Sequence, residues 1–289
     1  MYSLIKRNTK SLLYLSSLLW VLAFVACDIN ALTDPDAAGN YSASESFSFT
    51  VQATSSEQLQ VEGINGSIEV IGVSGAATAR IWGERIVRSH SSADARSYLK
   101  EVEVRVSTST AQVLAETIQP EDTHGREVVV NYHIAVPAHW QVHLHNANGT
   151  ARVDSVQNRV AFDIANGQVQ ASRLGGDLDV ALTNGNVFIE NAKCNAHVVV
   201  SNGNVEATMT LPTTGKCDLG VINGNITLAI PQNTSAQFAA EVTNGSISVA
   251  DLVLQNETSS RTSVRGQLGS GAGDIKLGTV NGTIRANGF

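Results

Sequence analysis

Residues 160–207 read VAFDIANGQVQASRLGGDLDVALTNGNVFIENAKCNAHVVVSNGNVEA, with an Asn-Gly dipeptide at every eighteenth position. Apolar and polar side chains alternate on both sides of each dipeptide, as in Val180 and Leu182 before Asn184 and Val187 after it. A period of two is typical of a strand with one buried face. Each repeat is therefore predicted to contain two half-buried strands that meet at the Asn-Gly corner.

The same dipeptide recurs along most of the chain. The corners are Asn65-Gly66, Asn148-Gly149, Asn166-Gly167, Asn184-Gly185, Asn202-Gly203, Asn223-Gly224, Asn244-Gly245 and Asn281-Gly282. From Asn148 onward the spacings are 18, 18, 18, 21, 21 and 37 residues, and the last is close to two periods. Asn and Gly both tolerate the positive φ that a tight corner needs. A period this regular indicates a repeat architecture.

Two all-β geometries fit the repeat. In a hairpin meander each Asn-Gly is a type I′ turn. In a β-solenoid, similar to a parallel β-helix, each is the corner of a coil of 18 to 21 residues. Stacked coils bring the Asn side chains into a ladder of amide hydrogen bonds. We favour the solenoid because a ladder explains why the same residue returns at a nearly fixed spacing.

Residues 48–147 are less regular than residues 148–289, although both parts are predicted to form one solenoid domain. Further strands are predicted at 77–88, 101–107, 111–118 and 127–136. Between the first two lies SSADARSYLKEV, which has a serine cap and good helix formers. One short helix is predicted there.

The first 26 residues have the pattern of a secretory signal. A basic start with Lys6, Arg7 and Lys10 precedes an apolar run at 11–26, which is shorter than the roughly 20 residues of a membrane span. The run ends at Ala26-Cys27, which resembles the lipobox of bacterial lipoproteins and predicts lipidation of Cys27. Simple secretion and an uncleaved anchor are the alternatives.

The residues after the signal are predicted to form a tether over 27–47, since they are small and polar. Removing the leader takes the net charge from −7 to −10, because three bases and no acid are lost. A nucleic-acid partner is not expected from so acidic a chain. With 43% hydrophobic residues, the chain is also too apolar for general disorder.

Two stretches resemble the bacterial DUF4097 family of adhesin-like proteins, which is related to head-domain (GIN-type) adhesins. They are LQVEGINGSIEVIGVSG at 59–75 and VVVNYHIAVPAHWQVHLHNANGTARVDSV at 128–156. The resemblance covers about residues 47–289. It implies a β-solenoid on the cell surface or in the envelope, and it transfers no catalytic residues.

Two groups of residues are of types that form disulfides or bind metals. Cys194 and Cys217 have inward parity on neighbouring coils and are candidates for a disulfide in an oxidising compartment. Small core residues are the competing interpretation. His133, His139, His143 and His145 cluster before the regular repeats, and Asp163 aligns with the last of them. No metal site is predicted, because no signature spacing is present.

One outward column has residue types that could catalyse. Asp179, His197 and Asp218 each lie five residues before their corner Asn. Solvated strand positions explain them equally well. Asp274 in GSGAGDIKL is a candidate calcium ligand, but the ligand spacing of an EF-hand is absent, and a glycine-rich corner is the favoured interpretation. We therefore predict no catalytic residues and no cofactor.

The function predicted from the sequence is a non-catalytic, adhesin-like binding or structural module, lipid-anchored in the bacterial envelope. Its partner is a protein or a glycan. The alternative is a polysaccharide lyase or glycosidase on the same scaffold, which needs two carboxylates converging in a cleft.

Overall fold

The computed structural model describes residues 41–52, 57–110 and 112–289. Its strands are β1 Tyr41–Gln52, β2 Gln58–Asn65, β3 Ile68–Val73, β4 Thr78–Ser89, β5 Glu103–Thr108, β6 Val113–Ile118, β7 Glu127–Pro137, β8 Gln141–Asp154, β9 Val160–Ser172, β10 Leu178–Lys193, β11 Ala196–Asn202, β12 Val205–Thr210, β13 Lys216–Asn223, β14 Ile226–Ile230, β15 Ala236–Ala250, β16 Gln255–Ser259, β17 Ser263–Leu268 and β18 Gly273–Gly288. A single helix in the described chain, α1, covers Ser92–Leu99. The all-β class with one short helix is confirmed.

Successive repeats pair in parallel, each displaced by one full period. Asn148 of β8 lies opposite Asn166 of β9, which lies opposite Asn184 of β10. An antiparallel hairpin would instead pair the two sides of one Asn-Gly with each other. The meander is therefore excluded for these repeats.

The strand segments on the two sides of the corners form two sets of pairings. We call the segments before the corners the first sheet and those after the corners the second sheet. The second sheet runs in the order β1, β4, β7, β3, β8, β9, β10, β12, β14, β18, β15. β8, β9, β10, β15 and β18 continue through their corners and belong to both sheets.

The stack does not follow chain order at its two ends. At one end, β3 lies between β7 and β8 although it precedes both in the chain, and the corner of Asn65 lies next to that of Asn148. At the other end, the corner of Asn281 lies between those of Asn223 and Asn244. β18, the last strand of the chain, is thus inserted between strands that precede it.

The apolar residues that the alternating pattern predicts to face inward are buried in the structure. Leu178, Val180 and Leu182 of β10 are at most 3% exposed, and Val187 and Ile189 after the corner are at most 1% exposed. Their counterparts in the neighbouring repeats form one continuous apolar cluster. Burial of these repeated side chains is the main stabilising contribution of the stack.

The corner glycines have no room for a side chain. The eight φ values lie between 127° and 158°. A Cβ built on Gly185 would lie 1.6 Å from the carbonyl oxygen of Gly167 in the repeat below. Glycine is therefore required both by the positive φ and by the close approach of stacked backbones.

β1, β4 and β7 add an antiparallel layer at one end of the stack. β4 pairs antiparallel with β1 over its whole length and with β7 on its other side. Residues 41–47 therefore belong to a strand, so the predicted tether ends earlier than residue 47. The reason is that Ala43 has the inward parity of β1 and is buried in the core.

The predicted helix α1 is capped and fastened to this layer. The Ser91 side chain accepts a hydrogen bond from the Asp94 amide at the helix N-terminus. Two Arg126 nitrogens donate to the Asp94 carboxylate, each at 2.7 Å. Arg126, with a further hydrogen bond from Ser89, holds the pKa of Asp94 well below its usual range. This contribution to stability is present above the unfolded-state pKa and is lost as the pH falls through the lower folded-state pKa.

Candidate functional site

The eight corner asparagines form one continuous ladder of side-chain amides. The Nδ2 of every corner Asn except Asn65 donates to the Oδ1 of the neighbouring corner, at distances of 2.7 to 2.9 Å. The ladder begins at Asn65 and, following the stack rather than the chain, ends with Asn281 and Asn244. Its bonds lock the register of neighbouring repeats.

A second, shorter ladder was missed by the sequence reasoning. Asn186 accepts from the amide and side chain of Asn204, and Asn204 accepts likewise from Asn225, each bond at 3.0 Å. The amide of Thr283 then donates to the Asn225 side chain at 2.9 Å. The threefold Asn-Gly-Asn in the sequence was the signal that could have revealed it.

The column with catalytic residue types lies on an exposed face of the first sheet. Asp179, His197 and Asp218 are adjacent in register. His197 Nδ1 is 3.5 Å from the Asp218 carboxylate, and both side chains are more than half exposed. Asp179 pairs with Arg159 at 2.9 Å. The column therefore consists of solvent-exposed polar contacts, and none of these three residues lines a described cavity.

Two of the four clustered histidines, His133 and His145, pair separately with carboxylates. His145 Nδ1 lies 3.4 Å from Asp163, and His133 Nδ1 lies 3.1 Å from Glu69. Within the described ranges, no group of three His, Cys, Asp or Glu side chains is placed to hold a metal ion. Asp274, considered above as a calcium ligand, pairs with Lys276 at 3.0 Å.

Cys194 and Cys217 are buried free thiols, so the disulfide considered above is not formed. The register explains this, because Cys217 lies opposite Ala196 and not opposite Cys194. Cys217 instead contacts Met209, with the two sulfurs 3.9 Å apart. Burial raises the pKa of the Cys194 thiol to about 12 and also raises that of Cys217. Both thiols are therefore poor nucleophiles.

The most site-like feature is a groove on the outward face of the second sheet, which we call the Trp82 groove. It has a volume of about 250 Å³ and is lined by Glu69, Val70, Ile71, Trp82, His133, Ile134, Arg152 and Asp154. No local sequence pattern predicts this groove, because its residues come from four strands, β3, β4, β7 and β8, that are separated along the chain.

Aromatic, apolar and charged side chains lie next to one another in this groove. The Trp82 and His133 rings stack with centroids 5.9 Å apart, and the Arg80 guanidinium lies 4.9 Å from the Trp82 ring centroid. Ile71 is 45% exposed in the same groove. Asp154 is nearly buried and pairs with Arg173, which fixes its carboxylate. The groove thus combines apolar surface with planar hydrogen-bonding groups.

The Trp82 groove is one end of a row that crosses the whole second sheet. This outward row contains one residue from each strand: Ser48, Trp82, His133, Glu69, Arg152, Gln170, Phe188, Glu206, Thr227, Arg285 and Ser248. Phe188 is a second outward aromatic side chain, five strands from Trp82. At the usual strand spacing the two are about 24 Å apart.

A profile of known families matches residues 37–287 and is described as Toastrack DUF4097. The chain belongs to the DUF4097 family. The resemblance inferred from the sequence is thereby confirmed. No functionally curated protein matches this DUF4097 chain.

Solved structures similar to this DUF4097 chain share little sequence with it. A candidate cell adhesion protein from Clostridium sporogenes is 12% identical to this chain, with a TM-score of 0.38. The match covers 85% of this chain and 100% of the Clostridium chain. A candidate adhesin from Bacteroides fragilis is 8% identical, with 84% and 97% coverage and a TM-score of 0.32. One from Parabacteroides merdae is 11% identical, with 83% and 95% coverage and a TM-score of 0.29.

The predicted lipidation site, Cys27, and the signal at 1–26 lie outside the described residues. In the described ranges, no helix has the length and apolar character that crossing a membrane requires.

Proposed function

We propose that this chain is an exported, lipid-anchored envelope protein that acts as an adhesin-like, non-catalytic binding module on a β-solenoid scaffold. The observation that carries the proposal is the outward row with the Trp82 groove, because it gathers aromatic and charged side chains on one exposed surface. The family assignment and the signal-like N-terminus support it.

The scaffold suits a role in display. Parallel repeats in register, locked by the Asn ladder, give a stiff surface on which outward residues recur at a constant spacing. A polymer or an extended partner lying across the strands can contact several members of the outward row at once. Repeated weak contacts of this kind increase avidity without any deep pocket.

The chemistry of the Trp82 groove favours recognition over catalysis. Its carboxylates are engaged, since Glu69 pairs with His133 and Asp154 with Arg173. Trp and Arg are the residue types that most often dominate binding energy at interfaces. We infer that Trp82 provides the apolar contact and that Glu69 and Arg152 provide hydrogen bonds to the partner.

A Trp82→Ala variant tests the binding role. We expect binding of the full chain to its glycan or protein partner to weaken at least about tenfold, because the apolar wall of the groove is lost. Glycan arrays and pull-downs with envelope extracts identify the partner, and titration then measures the affinity. Val199→Ala is the matched control, since Val199 is exposed on the first sheet. Equal affinity of wild type and Trp82→Ala would place the binding surface elsewhere.

A Cys27→Ser variant tests the anchor. Without the thiol that carries the lipid, we expect the chain to move from the membrane fraction to the soluble fraction. The measurement is fractionation followed by immunodetection, with Cys194→Ala as the control that keeps Cys27. An unchanged distribution of the Cys27→Ser protein contradicts lipidation at this residue.

An enzyme remains the second candidate because Glu69 and Asp154 line the same groove. A glycosidase needs one of its two carboxyl groups as an acid and the other as a base or nucleophile. Release of shortened products from a bound glycan, lost in Glu69→Gln and Asp154→Asn, would favour this candidate over binding alone.

A further inference from the structure

Asn244 lies at the end of the Asn ladder, where its surroundings differ from those of the other corners. After Val242, β15 pairs only with β18, so that no described strand covers its other side. Gly245 is exposed, whereas the other seven corner glycines are half-buried. Asn244-Gly245 is thus the corner most open to solvent.

The backbone amide after each corner Asn normally has a partner in the next repeat. The amides of Gly66, Gly203 and Gly224 donate to the Asn carbonyl of the adjacent repeat at 3.0, 2.9 and 2.9 Å. Among the described strands the stack ends at β15, so no described repeat lies next to the amide of Gly245 to accept from it. It faces the open side of the second sheet.

The Asn244 side chain is also held at one end only. Its Nδ2 donates to Asn281 Oδ1 at 2.9 Å, and no described residue donates to its own Oδ1. An interior side chain such as that of Asn184 is held through both atoms, at 2.8 and 2.9 Å. The Asn244 amide can therefore turn toward its own backbone after one hydrogen bond breaks.

We propose that Asn244 is the site at which the folded chain deamidates. The Gly245 backbone nitrogen attacks Cγ of Asn244, forming the N–Cγ bond of a five-membered succinimide. The Cγ–Nδ2 bond breaks, and ammonia leaves with the proton that the Gly245 nitrogen gives up. Water then opens the ring to aspartate or isoaspartate. Glycine favours the attack because it has no Cβ to obstruct it.

The reaction changes the end of the stack. Either product replaces the donating Nδ2 by carboxylate oxygen, so the last bond of the ladder, to Asn281, is lost. Isoaspartate also adds a backbone atom at the corner. We expect the terminal repeat, β15, to loosen while the interior repeats are unchanged.

Two other Asn-Gly dipeptides serve as internal comparisons. Asn65 lies at the opposite end of the ladder, where no described residue accepts from its Nδ2, but the Gly66 amide is hydrogen-bonded to Asn148. Asn287-Gly288 is a ninth dipeptide, and Asn287 pairs with strands on both sides. Both are expected to react slowly, because the Gly66 amide is hydrogen-bonded and Asn287 is held in β18 between two paired strands.

The test is peptide mapping of the purified full-length chain after incubation in mildly alkaline heavy-oxygen water. We expect label at Asn244 to accumulate at least about tenfold faster than at the other eight Asn-Gly sites. At those eight sites the structure must open locally before the glycine nitrogen can attack. In denaturant the sites should react at similar rates, which shows that the fold causes the selectivity.

A matched pair of variants completes the test. Asn244→Gln should remove most native-state ammonia release, because glutamine cyclises much more slowly, whereas Asn65→Gln should leave it unchanged. Native rates at Asn65 or at interior corners equal to the rate at Asn244 would overturn the proposal.

Discussion

Gly185→Ala is expected to reduce the free energy of unfolding by more than about 4 kcal/mol or to prevent folding. The added methyl group would lie 1.6 Å from the Gly167 carbonyl oxygen, and φ at this position is 139°. Neighbouring repeats are bonded on both sides, so neither backbone can move away without breaking the stack. Urea denaturation measures the loss, and soluble yield reports it if the variant does not fold.

Gly278→Ala is the matched control for this substitution. Gly278 also lies in a strand of the stack, but a Cβ there meets no atom within 4 Å and φ is not positive. We expect its stability to stay within about 0.5 kcal/mol of wild type. Gly245→Ala should fall between the two, since its corner ends the stack and can shift outward. Equal stability of Gly185→Ala and Gly278→Ala would mean that the repeats are not stacked at this distance.

Much of the regular part of the fold could be predicted from the sequence because one residue type serves one local purpose in each repeat. The alternation around Asn184 predicts which side chains are buried, since a strand has a period of two. The return of Asn at equal spacing predicts the ladder, because a displacement by one period places identical residues side by side. The same displacement places each corner glycine beside the glycine of the neighbouring repeat.

The Trp82 groove could not be predicted from local pattern. Trp82 and His133 meet because β4 runs antiparallel to β7, and Glu69 joins them through a parallel pairing of β3 with β7. These are long-range pairings without a repeated signature. The disulfide is not formed because Cys194 lies eight residues before its corner Asn and Cys217 six before its own, so the two are not opposite each other.

The order of the last repeats was equally hidden. A spacing of 37 residues between Asn244 and Asn281 is compatible with two periods in sequence. The structure instead places β16 and β17 as an antiparallel hairpin on the first sheet beside β15, and β18 on the other side of β15. The spacing of 37 residues does not determine the position of β18 or of the β16–β17 hairpin. The corner asparagines align equally well whether β15 or β18 is next to the repeat of Asn223.

Ile284→Ala is expected to lower the free energy of unfolding by about 2–5 kcal/mol, the usual cost of truncating a fully buried isoleucine. Ile284 is 0% exposed and lies between Ile226 of β14 and Ile247 of β15. In the observed order it belongs to the interior of the stack. If β15 followed β14 directly, Ile284 would belong to the end repeat and its removal would cost less.

Ile247→Ala provides the decisive comparison, because Ile247 has the same position after its corner but lies in the last repeat. It is only partly buried, so we expect a loss of about 1 kcal/mol. Arg285→Ala, on the outward face beside Ile284, should have little effect and controls for changes within β18. Denaturant midpoints of the three variants measure the ranking. A larger loss for Ile247→Ala than for Ile284→Ala would contradict the inserted position of β18 and support stacking in chain order.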